Sequence, residues 1–203
     1  MIQAEEPRLV LASSSATRRA LMEAAGLRFA VETAGVDEAA IKEAAQAEGV
    51  PPAEAALLLA DAKAMRVARR NAEALVIGAD QLLVCEGRWY DKPSDTAAAR
   101  AQLLSLRGRT HELVTGVVCW RHGARVWQHV AVPRMTVREF SEGFLDDYLA
   151  MEGTRVTASV GAYRLEGPGM HLFSQVGGDH AAILGLPMIP LLGFLRDHGV
   201  LAT

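Results

Sequence analysis

The sequence predicts a mixed α/β fold, and three observations predict it. Short apolar runs of strand length, LVLA at 9–12 and ALVIGAD at 74–80, are interleaved with segments of helical period. The first run breaks directly into LASSSATRRALMEAAG, a strand-to-helix transition. In mid-chain, ELVTGVVCW and ARVWQHVAVPRMTVREF flank a turn at Arg121–Gly123 and read as antiparallel strands. A chain of 203 residues suits one compact domain, residues 1–203, with room for two lobes and a sizeable core.

In chain order, Arg8–Ala12 is a short strand and a helix starts at about Thr17, with Gly26 placed to end it. Phe29–Val36 is a second strand, and Asp37–Glu38 follow as a loop. Pro51–Arg70 is a helix, with prolines at its start, alanines within and arginines at its end. Ala74–Asp80 is a continuous apolar run ending in an acid, the pattern of a buried strand that delivers a carboxylate. QLLVCEGRWY extends it through a turn at Glu86–Gly87, and Lys92-Pro93 opens a loop. Ser94 can cap a helix to about Leu106, and Ser141 one to about Met151. GAYRLEGPG and GGDHAAILGLP are glycine-rich loops around a short strand, and a last helix ends at Gly199.

Bulk composition excludes several classes of function. A net charge of −3 and 5% aromatics leave little to attract or stack nucleic acid. No apolar stretch approaches the roughly 18 residues that span a bilayer. The acidic start MIQAEEPRLVLA is unlike a secretory signal. Cys85 and Cys119 lack CxxC spacing and read as free, half-buried thiols. A cytoplasmic protein with neither a nucleic-acid nor a membrane partner is expected.

The chemistry concentrates in a few residues. Arginines in a first helical turn oppose the positive end of the helix dipole. Exposed backbone N–H groups, serine hydroxyls and Arg18–Arg19 would together hold a phosphate; alternatively, SSSATRR is a capped helix with two solvated arginines. Asp80 can cap a turn, hold a divalent metal or take a proton from water. Lys63 shares a helix row with Leu59 and Val67, so it either snorkels or faces an anion. Lys92 and Glu38 read singly as solvated loop charges. His111 and His180 lack the spacing of a zinc pair, and neither is assigned as a ligand.

Taken in order, LASSSATRRALMEAAG, VDE at 36–38, Ala60–Ala64, GADQLLV, DKPSD, GRTHELVTGV, VGAYRLEGPG and GGDHAAILGLP resemble the Maf family of nucleoside triphosphate pyrophosphatases. The resemblance spans nearly the whole chain. It implies a mixed, elongated sheet flanked by helices, with two lobes around a deep cleft, as in inosine triphosphatase-like folds. It also implies cleavage between the α and β phosphates, releasing monophosphate and pyrophosphate, with a divalent cation (Mg, Mn or Co) as cofactor. By motif, Ser13, Ser15, Arg18 and Arg19 fall at the phosphate-binding corner, and Lys63 and Lys92 on lysines that grip phosphates. Glu38 and Asp80 fall on acidic, metal-side positions, and Asp80 on the family's proposed general base.

Three further positions mark the branch. Thr17, Gln81 and Glu166 stand where the dTTP/UTP branch has arginine, threonine and glutamine, and GADQ with the LEG loop resembles the branch acting on 7-methyl-GTP. A carboxylate at Glu166 would complement the positive charge of N7-methylated guanine or accept its N1 and N2 hydrogens. Ala16 and Thr17 depart from the proline and tryptophan associated with the family and that branch, and threonine cannot stack on a cationic base. The alternatives are a dTTP/UTP pyrophosphatase or a non-catalytic nucleotide-binding regulator of division, the family having been linked to septum formation. The oligomeric state, a homodimer included, is left open.

Overall fold

Leu9, Val10 and Leu11 are fully buried, as a strand covered on both faces requires, and they form β1 (Leu9–Leu11). The computed structural model describes residues 2–203. It runs from β1 through α1 (Ala16–Ala24), β2 (Phe29–Val31), α2 (Glu38–Ala47) and α3 (Pro52–Ala68) to β3 (Leu75–Cys85) and β4 (Arg88–Tyr90). Then come α4 (Thr96–Leu106), β5 (Thr110–Arg121), β6 (Ala124–Ala131), β7 (Arg134–Val137) and α5 (Glu142–Glu152). After three 3₁₀ turns, β8 (Phe173–Gly177), α6 (His180–Ile183) and α7 (Met188–Asp197) close the chain. The eight strands form one mixed sheet in the order β2-β1-β3-β5-β7-β8, with β4 paired to β3 and β6 to β5. The predicted α/β class with a mixed sheet flanked by helices is the observed one. Among the described residues no helix is long and apolar enough to cross a membrane.

The chain divides into two compact units. The first holds the chain up to Gln81, Thr115–Ala131 and Asp179–Thr203. In it β1 lies parallel to both β2 and the start of β3, with Leu9 facing Phe29 on one side and Leu75 on the other. One core layer packs Leu9, Leu11, Ile77 and Val117 against Leu191, Phe194 and Leu195 of α7. The other packs Val10, Val76 and Val118 against Ala60, Ala64 and Val67 of α3.

That second layer is unusually thin. A Cβ on Gly78 would lie 2.4 Å from the Ala60 carbonyl oxygen and 2.8 Å from Ala64 Cβ. On Gly116 it would lie 2.7 Å from the backbone of Ala56. Small residues on both sides therefore let α3 lie against β3 and β5. Gly78→Ala is expected to destabilise the protein by about 2–3 kcal/mol, because rigid backbone must move. A urea unfolding midpoint equal to wild type would show that this contact is looser than the geometry requires.

The second unit comprises Leu82–Val114 and Val132–Gly178. Here β7 pairs antiparallel with the start of β5 and with β8. Its interior holds two polar pairs. The Glu152 carboxylate, wholly buried, accepts two hydrogen bonds from Arg164, at 2.9 and 3.0 Å. His111 Nε2 lies 2.6 Å from the Tyr163 hydroxyl, and burial pulls the His111 pKa down to about 4. The imidazole is thus neutral near pH 7.

Several boundaries differ from the sequence reading, each for a local reason. The second strand ends at Val31 rather than Val36. Asp37 caps a helix where a loop is predicted: its side chain accepts from the Ala40 N–H, so Glu38 opens α2. Asp95 rather than Ser94 caps α4, since its carboxylate accepts from the Ala98 N–H at 2.7 Å. The stretch read as one strand over 124–140 is two, because Pro133, which has no N–H to donate, falls between β6 and β7. A short helix, α6, stands inside the predicted GGDHAAILGLP loop. Gly26 ends α1 as predicted, at φ +71°, and both cysteines are free and buried.

Candidate active site

The parallel strands of the first unit deliver their carboxyl ends to one place, where ligand sites of open α/β sheets gather. After β1 the chain turns through Ser13 and Ser15, and β3 carries Asp80 three residues beyond its last pairing with β1 at Ile77. Ser15 caps α1, its hydroxyl accepting from the Arg18 N–H at 3.3 Å, while Ser13 Oγ accepts from the Ser15 N–H at 3.2 Å.

The two arginines of this turn then part. Arg18 is buried: its Nε donates to the Gly185 carbonyl at 2.8 Å, and Nη1 to the Ala79 carbonyl at 2.9 Å and to Ser13 Oγ at 3.3 Å. Burial lowers the Arg18 pKa, and the Asp80 and Glu38 charges oppose that shift. A guanidinium nevertheless keeps its proton in a protein. Arg19 is exposed and pairs with Glu23 at 2.7 Å, one turn along the same helix. The structure joins Arg18, but not Arg19, to the cluster.

Lys63 makes the central contact. It is buried on α3, and its ammonium lies 2.5 Å from Asp80 Oδ1 and 2.9 Å from Glu38 Oε1. The Lys63 and Asp80 side chains are only 10% and 7% exposed, so this is a desolvated pair; Glu38, at 46%, borders solvent. Of the alternatives for Lys63, facing an anion is the one observed. Arg18 and Lys63 together carry two positive charges, and Glu38 and Asp80 carry two negative ones.

The other sequence candidates are placed as follows. Thr17 is half-buried on α1, beside Arg18 in sequence. Gln81 is half-buried, and its amide nitrogen donates inward, to Thr115 Oγ1 at 2.8 Å and to the Ala182 and Ile183 carbonyls at 3.0 and 3.1 Å. Lys92 and Glu166 belong to the second unit, Lys92 exposed in the loop after β4 and Glu166 exposed in the turn after Arg164. Among the described residues no group of three or more His, Cys, Asp or Glu is arranged to hold a metal. Sequence reasoning missed Thr115 and the carbonyls of Ala79, Ala182 and Gly185. The one available signal is a threonine within the apolar run LVTGVV, which the structure buries fully.

Known proteins resemble this chain over nearly its whole length. A family model described as "Maf-like protein" matches residues 8–198. A nucleoside triphosphate pyrophosphatase of Granulibacter bethesdensis is 53% identical over 196 residues, which is 97% of this chain and 100% of that protein. One from Paramagnetospirillum magneticum is 52% identical over 95% of this chain and 99% of its own. A 7-methyl-GTP pyrophosphatase of Rhizobium meliloti is 48% identical over 97% and 98%. On the family match and on this level of identity over almost the full length, the chain belongs to the Maf family.

Proposed function

We propose that this chain hydrolyses a nucleoside triphosphate between its α and β phosphates, with a modified guanine nucleotide such as 7-methyl-GTP as its preferred substrate. The observation that carries the reading is the convergence of Asp80 and Glu38 on Lys63, in a site that also holds Arg18. The names of relatives about half identical to the chain support the reaction class.

In this reading Asp80 orients a water behind the α phosphorus and takes its proton. The water oxygen bonds to that phosphorus, the bond to the oxygen bridging the β phosphate breaks, and pyrophosphate leaves with that bond's electron pair. Lys63 holds the Asp80 carboxylate in place and faces the developing charge on the phosphate oxygens. Ser13 and Ser15 act as acceptors inside the protein, so each hydroxyl hydrogen is available to a phosphate oxygen. Arg18 braces that turn. A nucleotide substrate is consistent with a cytoplasmic site of action.

Charge balance supports a divalent cation. The two cations and two carboxylates of this cluster cancel, so the cluster brings no net positive charge to a triphosphate tail. Glu38 and Asp80 are hard oxygen donors, and one or two carboxylates suit Mg²⁺ or Mn²⁺, whose remaining ligands are waters and substrate phosphates. These two residues would hold the ion. When bound, it supplies charge neutralisation on the phosphates being separated.

For the base, the support is a relative named 7-methyl-GTP pyrophosphatase, 48% identical to the chain. The test is a panel of GTP, 7-methyl-GTP, dTTP, UTP and CTP with Mg²⁺, Mn²⁺ or Co²⁺, scored by pyrophosphate release. Highest kcat/KM is expected on 7-methyl-GTP. Faster turnover of dTTP or UTP would overturn the base assignment and leave the reaction class standing.

A further inference from the structure

The residues on either side of Asp80 are tied down by a closed ring of hydrogen bonds that the chemistry above does not use. Ahead of it, the Ala79 carbonyl accepts from Arg18 Nη1 at 2.9 Å. Behind it, the Gln81 amide reaches Thr115 Oγ1, Ala182 O and Ile183 O, at 2.8, 3.0 and 3.1 Å. The Thr115 hydroxyl, having accepted from Gln81, donates to the Ala182 carbonyl at 3.1 Å. That same carbonyl accepts the Gly185 N–H at 3.0 Å, and the Gly185 carbonyl accepts Arg18 Nε at 2.8 Å, which closes the ring.

Two features show that the ring is tightly built. Thr115 has no exposed surface, so its hydroxyl has only these partners to satisfy it. A Cβ on Gly185, which sits at φ +95°, would come within 3.3 Å of Arg18 Nε. Glycine allows both this backbone conformation and the close approach of the guanidinium.

We infer that Thr115 and Gln81 are positioning residues of the active site, which hold Asp80 and Arg18 in register through the Ala182–Gly185 turn. The inference rests on the assignment of Asp80 as base. It also gives Gln81 a role other than touching the nucleobase. Its amide nitrogen faces the turn that it supports. A strand residue can hold its neighbour this way because successive side chains point to opposite faces. Asp80 faces Lys63, while Gln81 anchors on the other side.

The test compares Thr115→Val, Thr115→Ser and Gln81→Met by steady-state kinetics on the best substrate of the panel, with thermal unfolding to confirm folding. Valine keeps the shape of threonine and removes both hydrogen bonds, whereas serine keeps both. Misplacing a general base by a fraction of an ångström to an ångström costs about 10- to 100-fold. Thr115→Val and Gln81→Met are therefore expected to lower kcat by about that factor, with KM changed by less than about threefold. Thr115→Ser is expected to restore wild-type kcat. The double variant should be little worse than either single one, since both break the same ring. A folded Thr115→Val or Gln81→Met with wild-type kcat overturns the inference, as does a loss confined to KM, a Ser variant no better than Val, or additive losses. If Thr115→Val does not fold, Gln81→Met decides. Asp80→Asn, run alongside, separates the two claims: full activity there removes the base assignment, whereas its loss beside an unaffected Thr115→Val removes this inference alone.

Discussion

Asp80→Asn is expected to lower turnover by about 10²–10⁴-fold while nucleotide binding is largely retained, as for loss of a general base. Asparagine has the size of aspartate and keeps an oxygen toward Lys63, so the packing beneath it is preserved. Lys63 also keeps its contact with Glu38 at 2.9 Å and is not left as an unpaired buried charge. What disappears is the group able to take the proton from water. Pyrophosphate release measures the first quantity, and calorimetric titration with a non-hydrolysable analogue the second. Turnover near wild type would take Asp80 out of the mechanism; loss of binding equal to the loss of turnover would make it a ligand-holding residue only. The same variant separates an enzyme from a nucleotide-binding regulator, whose function would survive it.

Lys63→Met is expected to harm both stability and activity. The methionine stem replaces the buried carbons, but Asp80 is then a carboxylate 7% exposed with its cation removed. Breaking a buried ion pair from one side costs about 3–5 kcal/mol, because the surviving charge is stranded. An unfolding free energy lower by roughly 3 kcal/mol is the expected reading from urea titration. Activity should fall with it, since both the brace for Asp80 and the charge facing the phosphates are lost. The double variant Lys63→Met with Asp80→Asn should regain part of the stability, because no stranded charge remains. A Lys63→Met protein as stable as wild type and turning over at a comparable rate would refute the central role given to this lysine.

Much of the site is written in local sequence, because its parts sit at places that local rules describe. A serine before a helix caps it, and Ser15 does. An acid that follows an apolar run marks a buried strand at a site, and Asp80 lies on β3 as that pattern implies. The helix carrying Lys63 was legible from its prolines, alanines and terminal arginines. Where local signals compete, the boundaries slip. Ser94 and Asp95 both can cap α4, and the carboxylate does. Likewise, Asp37 and Glu38 fit a loop as well as the first residues of α2.

By itself the sequence determined the α/β class, the order of most elements and the residues to which phosphate chemistry is here assigned. These depend on periodicity, capping and motif, all of which act over a few residues along the chain. Only the tertiary structure decided that Arg18 is buried while its neighbour Arg19 pairs with Glu23, that Lys63 meets Asp80 and Glu38, and that Gln81 faces the 182–185 turn. Apart from the local Arg19–Glu23 pair, each of those outcomes depends on a partner 17 to 167 residues away in the chain, from the Lys63–Asp80 pair to Arg18 on Gly185. Long side chains with similar local surroundings are told apart by which of them finds a distant partner after the helices have packed on the sheet. Gly78 and Gly116, by allowing α3 to lie close against β3 and β5, let Lys63 reach Asp80.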